Sequence, residues 1–258
     1  MKFITISGKM HPGFDKILTE DAQEFLVKLH QMFNGTRKSL LERRTETHQK
    51  IIAGMNPTFL RETESVRKGN WQVDPIPEDL QDRRCEITGP AEAKMMINAL
   101  NSGAKIFMVD LEDSITPSWH NQIQGQANLS AAYERTLEFS NPAGKEYHLN
   151  DGELATLIVR PRGWHLEEKH ILIDGQVASG SLVDAGLYLF HNIKRTLEKG
   201  TGPYFYLPKL ENHLEARLWD EVFAFAEQEL GVTYGTIKAT VLLETILASF
   251  EIEEILYE

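Results

Sequence analysis

The sequence predicts an α/β protein built as a (β/α) barrel, entered through a helical segment. Three observations carry that reading. From Arg83 onward, short runs of branched and aromatic residues alternate with amphipathic segments of helix length. The run ending at Val109 shows no alternation of polar and apolar residues, as expected of a strand buried on both faces of a parallel sheet. Charged residues follow four of the runs: Asp110 and Glu112, Arg160 and Arg162, Lys209, and Glu244. A barrel carries its site at these carboxyl ends. A doubly wound sheet would show G-x-G-x-x-G after its first strand, and Thr88-Gly89-Pro90-Ala91-Glu92 is not one.

The elements follow in order. Residues 1–80 read as an N-terminal helical arm packed on the main domain, with no chemistry assigned. Thr19 caps a helix carrying Phe25, Leu26, Leu29 and Phe33, and a second, heavily charged helix runs from about Thr36 towards Ile52. Residues 69–77 form a loop. Residues 83–258 read as the first part of the barrel. A strand over 85–88 is followed by a helix with Pro90 at its first position and an apolar face of Met95, Met96, Ala99 and Leu100. Residues 105–109 form the strand that ends in the acidic cluster, and 114–153 read as irregular. A strand over 155–159 runs into Arg160-Pro161-Arg162-Gly163-Trp164-His165, with a helix from Ser181 to Lys199 after it. Residues 204–207 form the fourth strand, followed by a helix stopped at Gly231. Residues 239–243 form the fifth strand, and a last helix carries Ile252, Ile255 and Leu256.

Composition narrows the class. Length of 258 residues gives one large domain or two smaller ones. Net charge of -11, from 27 basic and 38 acidic residues, argues against nucleic-acid binding through a basic surface. The one cysteine, Cys85, excludes an internal disulfide and is expected to be a small buried hydrophobe in a reducing compartment. No apolar stretch approaches a membrane span, and the first residues are too short for a signal sequence. A cytoplasmic protein with no membrane partner is expected.

Carboxylates on separate strands with arginines opposite suit a hard divalent cation and an anionic substrate. Glu244, at the tip of an apolar strand, is the best ligand, with Glu112 next, directly or through water. A first-turn acid of the following helix is the alternative for Glu244. Arg160 can hold a carboxylate or a developing enolate, or can form a structural ion pair with Asp110 or Glu112. Trp164 and His165 are left outside the site. No Ser-His-Asp order, zinc spacing or P-loop occurs.

Five segments together resemble malate synthase of the A type. They are Arg83-Arg84-Cys85-Glu86-Ile87-Thr88-Gly89-Pro90, Phe107-Met108-Val109-Asp110-Leu111-Glu112-Asp113-Ser114, Ile158-Val159-Arg160-Pro161-Arg162-Gly163-Trp164-His165-Leu166, Tyr204-Phe205-Tyr206-Leu207-Pro208-Lys209 and Lys238-Ala239-Thr240-Val241-Leu242-Leu243-Glu244-Thr245. The resemblance implies a TIM (β/α)8 barrel, here truncated to about five strands, and Mg2+-dependent condensation of glyoxylate with acetyl-CoA and water, through hydrolysis of the thioester, to malate and CoA. It makes Arg160 the catalytic arginine stabilising the enolate of acetyl-CoA, Glu244 a metal ligand, and Glu112 an acid helping to hold the metal and its water. Asp110 and Glu112 join Arg160 in holding substrate. The family's second metal carboxylate and its catalytic-base aspartate would lie beyond Glu258, so residues 1–258 alone are expected to be inactive. A CoA-thioester carbon–carbon lyase of the citrate lyase β-subunit type shares the shorter motifs, and a non-catalytic fragment is the remaining alternative.

Overall fold

The computed structural model describes residues 4–258. A short strand β1 (Ile4–Ile6) and a helical turn α1 (Phe14–Ile17) lead into α2 (Glu20–Ile52). After α3 (Glu64–Arg67) come β2 (Glu86–Pro90), α4 (Ala93–Leu100), β3 (Ile106–Asp110), α5 (Trp119–Glu134) and the hairpin of β4 (Glu138–Ser140) and β5 (Glu146–His148). Then follow β6 (Thr156–Arg160), a second hairpin of β7 (Glu167–Ile173) and β8 (Gln176–Ser179), and α6 (Gly180–Glu198). The chain closes with β9 (Tyr204–Leu207), α7 (His213–Leu230), β10 (Lys238–Val241) and α8 (Ile252–Tyr257).

Five strands form one parallel sheet in the order β10-β9-β6-β3-β2. Within this sheet each strand pairs with the next of its members along the chain, and α4 to α7 lie between them in sequence. That order belongs to a barrel, since a doubly wound sheet reverses direction part-way. The barrel is not closed, with β2 and β10 as its edges. The sheet curves all the same. Arg83, just ahead of β2, donates to Thr240 Oγ1 on β10 at 2.6 Å. All five residues of β3 are buried, the two-sided burial that its unbroken apolar run implied.

The helix α2 is one element of 33 residues, where two helices were expected. Gly35 lies where the two expected helices would have parted. A mid-helix glycine costs about 1 kcal/mol, too little to stop a helix that buries Phe33, Arg37 and Leu40 on either side of it. Phe25, Leu29, Phe33 and Leu40 enter the same hydrophobic core as Phe107, Val159 and Phe205 of the sheet, and α2 packs on α6 and α7.

Other expectations are corrected. Residues 114–153 are not irregular. They hold α5 and a hairpin. The helix was hidden because Gln122, Gly125, Gln126, Asn128 and Ser130 are buried among Trp119, Ile123, Leu129 and Tyr133 and interrupt the apolar stripe. Gly125 is required there, since an added Cβ would lie 2.8 Å from Cβ of Ala91. Pro90 ends β2 rather than opening a helix; the missing N–H is tolerated because β2 is an edge strand. A three-stranded antiparallel sheet of β1, β7 and β8 was not foreseen. Cys85 is exposed, since it precedes an edge strand instead of sitting inside one. In α8, Ile255 is buried but Leu256 is exposed.

Candidate active site

Asp110 and Arg160 are paired in register at the ends of β3 and β6, so the sheet itself brings the first acid beside the first base. Both are buried, at 1% and 5% exposure. Arg160 Nη1 stands 3.5 Å from Asp110 Oδ2, while Nη2 donates to Glu112 Oε2 and Asp113 Oδ2, each at 2.6 Å. Glu244, just past β10, places Oε1 3.7 Å from the same Nη2. Lys209, just past β9, bridges Asp113 Oδ2 at 3.2 Å and Glu244 Oε2 at 2.8 Å. The ends of β3, β6, β9 and β10 thus meet in one cluster of charges, with Arg160 at its centre and Lys209 joined to it through Asp113 and Glu244.

The local backbone explains how each group is held. Asp110 Oδ1 accepts from the N–H groups of Glu112 and Asp113, and Oδ2 from the N–H and hydroxyl of Ser114. This carboxylate shapes the turn that presents Glu112 and Asp113. Glu112 Oε1 accepts from the Gly163 N–H at 3.0 Å. A Cβ on Gly163 would fall 2.9 Å from that oxygen, so glycine permits the approach. Lys209 has a left-handed backbone, φ 56°, uncommon without glycine. That conformation turns its N–H onto Glu244 Oε1 at 2.9 Å while its ammonium reaches Oε2.

Electrostatics follow from burial. Desolvation raises the Glu112 carboxyl above its ordinary value despite Arg160 and the Gly163 N–H. Asp113 is also partly desolvated, but hydrogen bonds and charge from Lys209 and Arg160 prevail and lower it. Burial draws Arg160 down, and Asp110, Glu112 and Asp113 more than offset it, so the guanidinium stays charged. Four carboxylates face two cations, an excess of negative charge when all are ionised. Among the described residues, no three His, Cys, Asp or Glu side chains form a metal cage by themselves.

Arg162 does not join the site. It turns inward to Asp184 on α6, donating from Nε at 2.9 Å and Nη2 at 2.8 Å, and to Glu168 at 2.9 Å from Nη1. Trp164 is core, its ring 4.2 Å from that of Trp219. Asp113 takes a larger part than its place in the acidic motif suggested.

Comparison with known proteins decides the family. The model of the malate synthase N-terminal domain matches residues 2–65, and that of the malate synthase TIM barrel domain matches residues 156–258. Malate synthase of Myxococcus xanthus is 54% identical over 255 residues, covering 99% of this chain and 47% of that protein. The chain belongs to the malate synthase family. Malate synthase of Dictyostelium discoideum is 51% identical over 260 residues, covering 100% of this chain and 48% of its own length. A protein named bifunctional glyoxylate cycle protein from Caenorhabditis elegans is 49% identical over 259 residues, covering 99% of this chain and 27% of its length. The chain spans about half the length of the malate synthases it matches first. The barrel that the strand grammar predicted therefore agrees with the malate synthase domain model, which covers β6 through α8.

Proposed function

We propose that the protein, at the length of its relatives, is a malate synthase of the glyoxylate cycle. It is an acyltransferase that condenses glyoxylate with acetyl-CoA, and hydrolysis of the resulting thioester by water releases malate and CoA. The observation that carries this reading is the meeting of side chains from four strand ends in one charge cluster around Arg160. Arg160 Nε is buried and without a partner, so one fixed N–H of a permanently charged group remains for substrate. A donor set before the reaction stabilises charge developing on a thioester oxygen as acetyl-CoA is deprotonated. Lys209, shared by Asp113 and Glu244, offsets part of the negative charge that surrounds Arg160.

Mg2+ belongs to the same reading, and the donor set fits it. The ion takes oxygen ligands, commonly one or two carboxylates with water and substrate oxygens. Glu244 would hold it, with Glu112 directly or through water, and the local excess of negative charge favours a dication. Bound there, Mg2+ would act as a Lewis acid on the glyoxylate carbonyl. Asp110, Glu112, Asp113 and Glu244 all accept hydrogen bonds from cations or backbone, which leaves none placed as the base. Residues 1–258 alone are accordingly proposed to be inactive. No helix among the described residues is long and apolar enough to cross a membrane. A cytoplasmic setting is part of the proposal, although relatives such as that of Gossypium hirsutum are named glyoxysomal.

The test is glyoxylate-dependent CoA release from acetyl-CoA by the full-length protein. Arg160→Ala should lower kcat by about 100-fold or more, as loss of an oxyanion donor does. A near-normal rate in Arg160→Ala removes the reading.

A further inference from the structure

The buried stripe of α2 runs Phe33, Arg37, Leu40 and continues to the half-buried Arg44, at spacings of four, three and four. Two arginines stand where apolar residues would continue the stripe, and each reaches the backbone beside a site residue. Arg37, 1% exposed, donates from Nη1 to the carbonyl of Trp164 at 2.7 Å, with Nε held by Asn34 at 2.9 Å. Trp164 lies four residues past Arg160, next to the Gly163 N–H that holds Glu112. Arg44 donates from Nη2 to the carbonyl of Lys209 at 2.8 Å. Its guanidinium is clamped on Glu215 through Nε at 2.6 Å and Nη2 at 2.7 Å.

We propose that α2 is a positioning element of the site, with Arg37 bracing the loop after Arg160 and Arg44 holding Lys209 in the conformation that aims Glu244. This rests on the reading of the site given above. The link through Lys209 is the more exacting. A non-glycine residue in the left-handed region persists only where its surroundings hold it. At Lys209 the N–H is engaged by Glu244 and the C=O by Arg44, so both ends of the strained residue are tied. Glu215 fixes the tether from below, since its carboxylate also accepts from the Glu211 N–H at 2.8 Å and Asn212 Nδ2 at 3.1 Å at the start of α7. Burial draws Arg44 down, but Glu215 and Glu211 outweigh it and keep it charged. Without Arg44, Lys209 can relax towards ordinary φ, and the N–H that orients Glu244 goes with it. Arg37 touches the other loop, so the two arginines should fail differently.

The experiment uses the full-length protein, with kcat and KM for acetyl-CoA and glyoxylate, Mn2+ binding without substrates by electron paramagnetic resonance, and thermal melting. Arg44→Met should lower kcat and weaken Mn2+ binding, each by about 10- to 100-fold, the usual effect of losing a group that orients a metal ligand. Arg37→Met loosens the loop that holds Glu112 and leaves Glu244 in place, so it should lower kcat with a smaller loss of Mn2+ binding than Arg44→Met. Arg44→Lys keeps a cation without the fork and should fall between; it carries the test if Arg44→Met does not fold. Leu26→Ala is the control, a buried α2 residue in a separate cluster against Ile171 and Val183, and should lower the melting temperature while leaving kcat intact. Wild-type kcat and Mn2+ affinity in both arginine variants would overturn the inference. So would an equal kcat loss in Leu26→Ala. If Arg160→Ala itself keeps its rate, the site reading falls and takes this one with it; Arg44→Met at full rate beside an inactive Arg160→Ala removes the brace alone.

Discussion

Asp184→Ala is expected to be among the most damaging substitutions outside the site. The carboxylate is 1% exposed and accepts three hydrogen bonds from Arg162: from its backbone N–H and Nε at 2.9 Å and from Nη2 at 2.8 Å. Removing it strands a buried guanidinium, and breaking such a pair costs about 3–5 kcal/mol. Arg162 keeps Glu168 as a second partner at 2.9 Å, which places the loss at the lower end, about 3 kcal/mol. Urea unfolding followed by tryptophan fluorescence suits the measurement, because Trp164 lies two residues from Arg162 and stacks on Trp219. A double-mutant cycle with Arg162→Met isolates the pair, with a coupling of about 2 kcal/mol expected. A loss below about 1 kcal/mol, or strict additivity, would show that the pair is solvated and that this account of the loop is wrong.

Two further outcomes follow from packing and linkage. Glu168 is desolvated, but Arg162 and His170 outweigh burial and hold its carboxyl below the ordinary value, so its contribution is present above about pH 4.5 and lost as pH falls through the folded value. Melting measured from about pH 5 to pH 3 should therefore show a shallower decline for Glu168→Gln than for the parent. Gly125→Val should destabilise by about 1–3 kcal/mol through overpacking against Ala91, and unchanged denaturation midpoints would refute the close approach.

The parallel strands were legible because burial on both faces leaves an unbroken apolar run, and a polar residue then marks where the run meets the rim. Ile106 to Val109 ahead of Asp110 and Tyr204 to Leu207 ahead of Lys209 are the clearest cases. Helix α7 announced itself through an apolar stripe and Gly231 in the left-handed region at its end. Helix α5 did not. Its inner face spends its contacts on hydrogen bonds, Gln122 to the Leu111 carbonyl, Gln126 to that of Asp184, and Asn128 to that of Ala91. A periodicity of hydrophobicity cannot register a face whose partners are carbonyls. The antiparallel strands β1 and β8 are three and four residues long, below the length at which alternation becomes a pattern.

Position after a strand told which residues reach the rim, and it could not tell which way each one turns. Arg160 and Arg162 belong to one motif, two residues apart. Arg160 ends β6 in register with Asp110 and is claimed by the acidic turn. Arg162 lies beyond Pro161 and is claimed by Asp184, a residue inside α6 that no local pattern connects to it. The same ambiguity concealed the part played by α2. An arginine on a charged helix reads as solvated until its partner is known, and the groups through which Arg37 and Arg44 reach the site are backbone carbonyls 127 and 165 residues away along the chain. A side chain can be recognised by type, but a carbonyl is the same at every residue and leaves no trace in sequence. What could have been read is the stripe itself. A helix whose inner face runs Phe33, Arg37, Leu40 and on to the half-buried Arg44 places two permanent charges towards the core, and a guanidinium drawn out of water requires acceptors there.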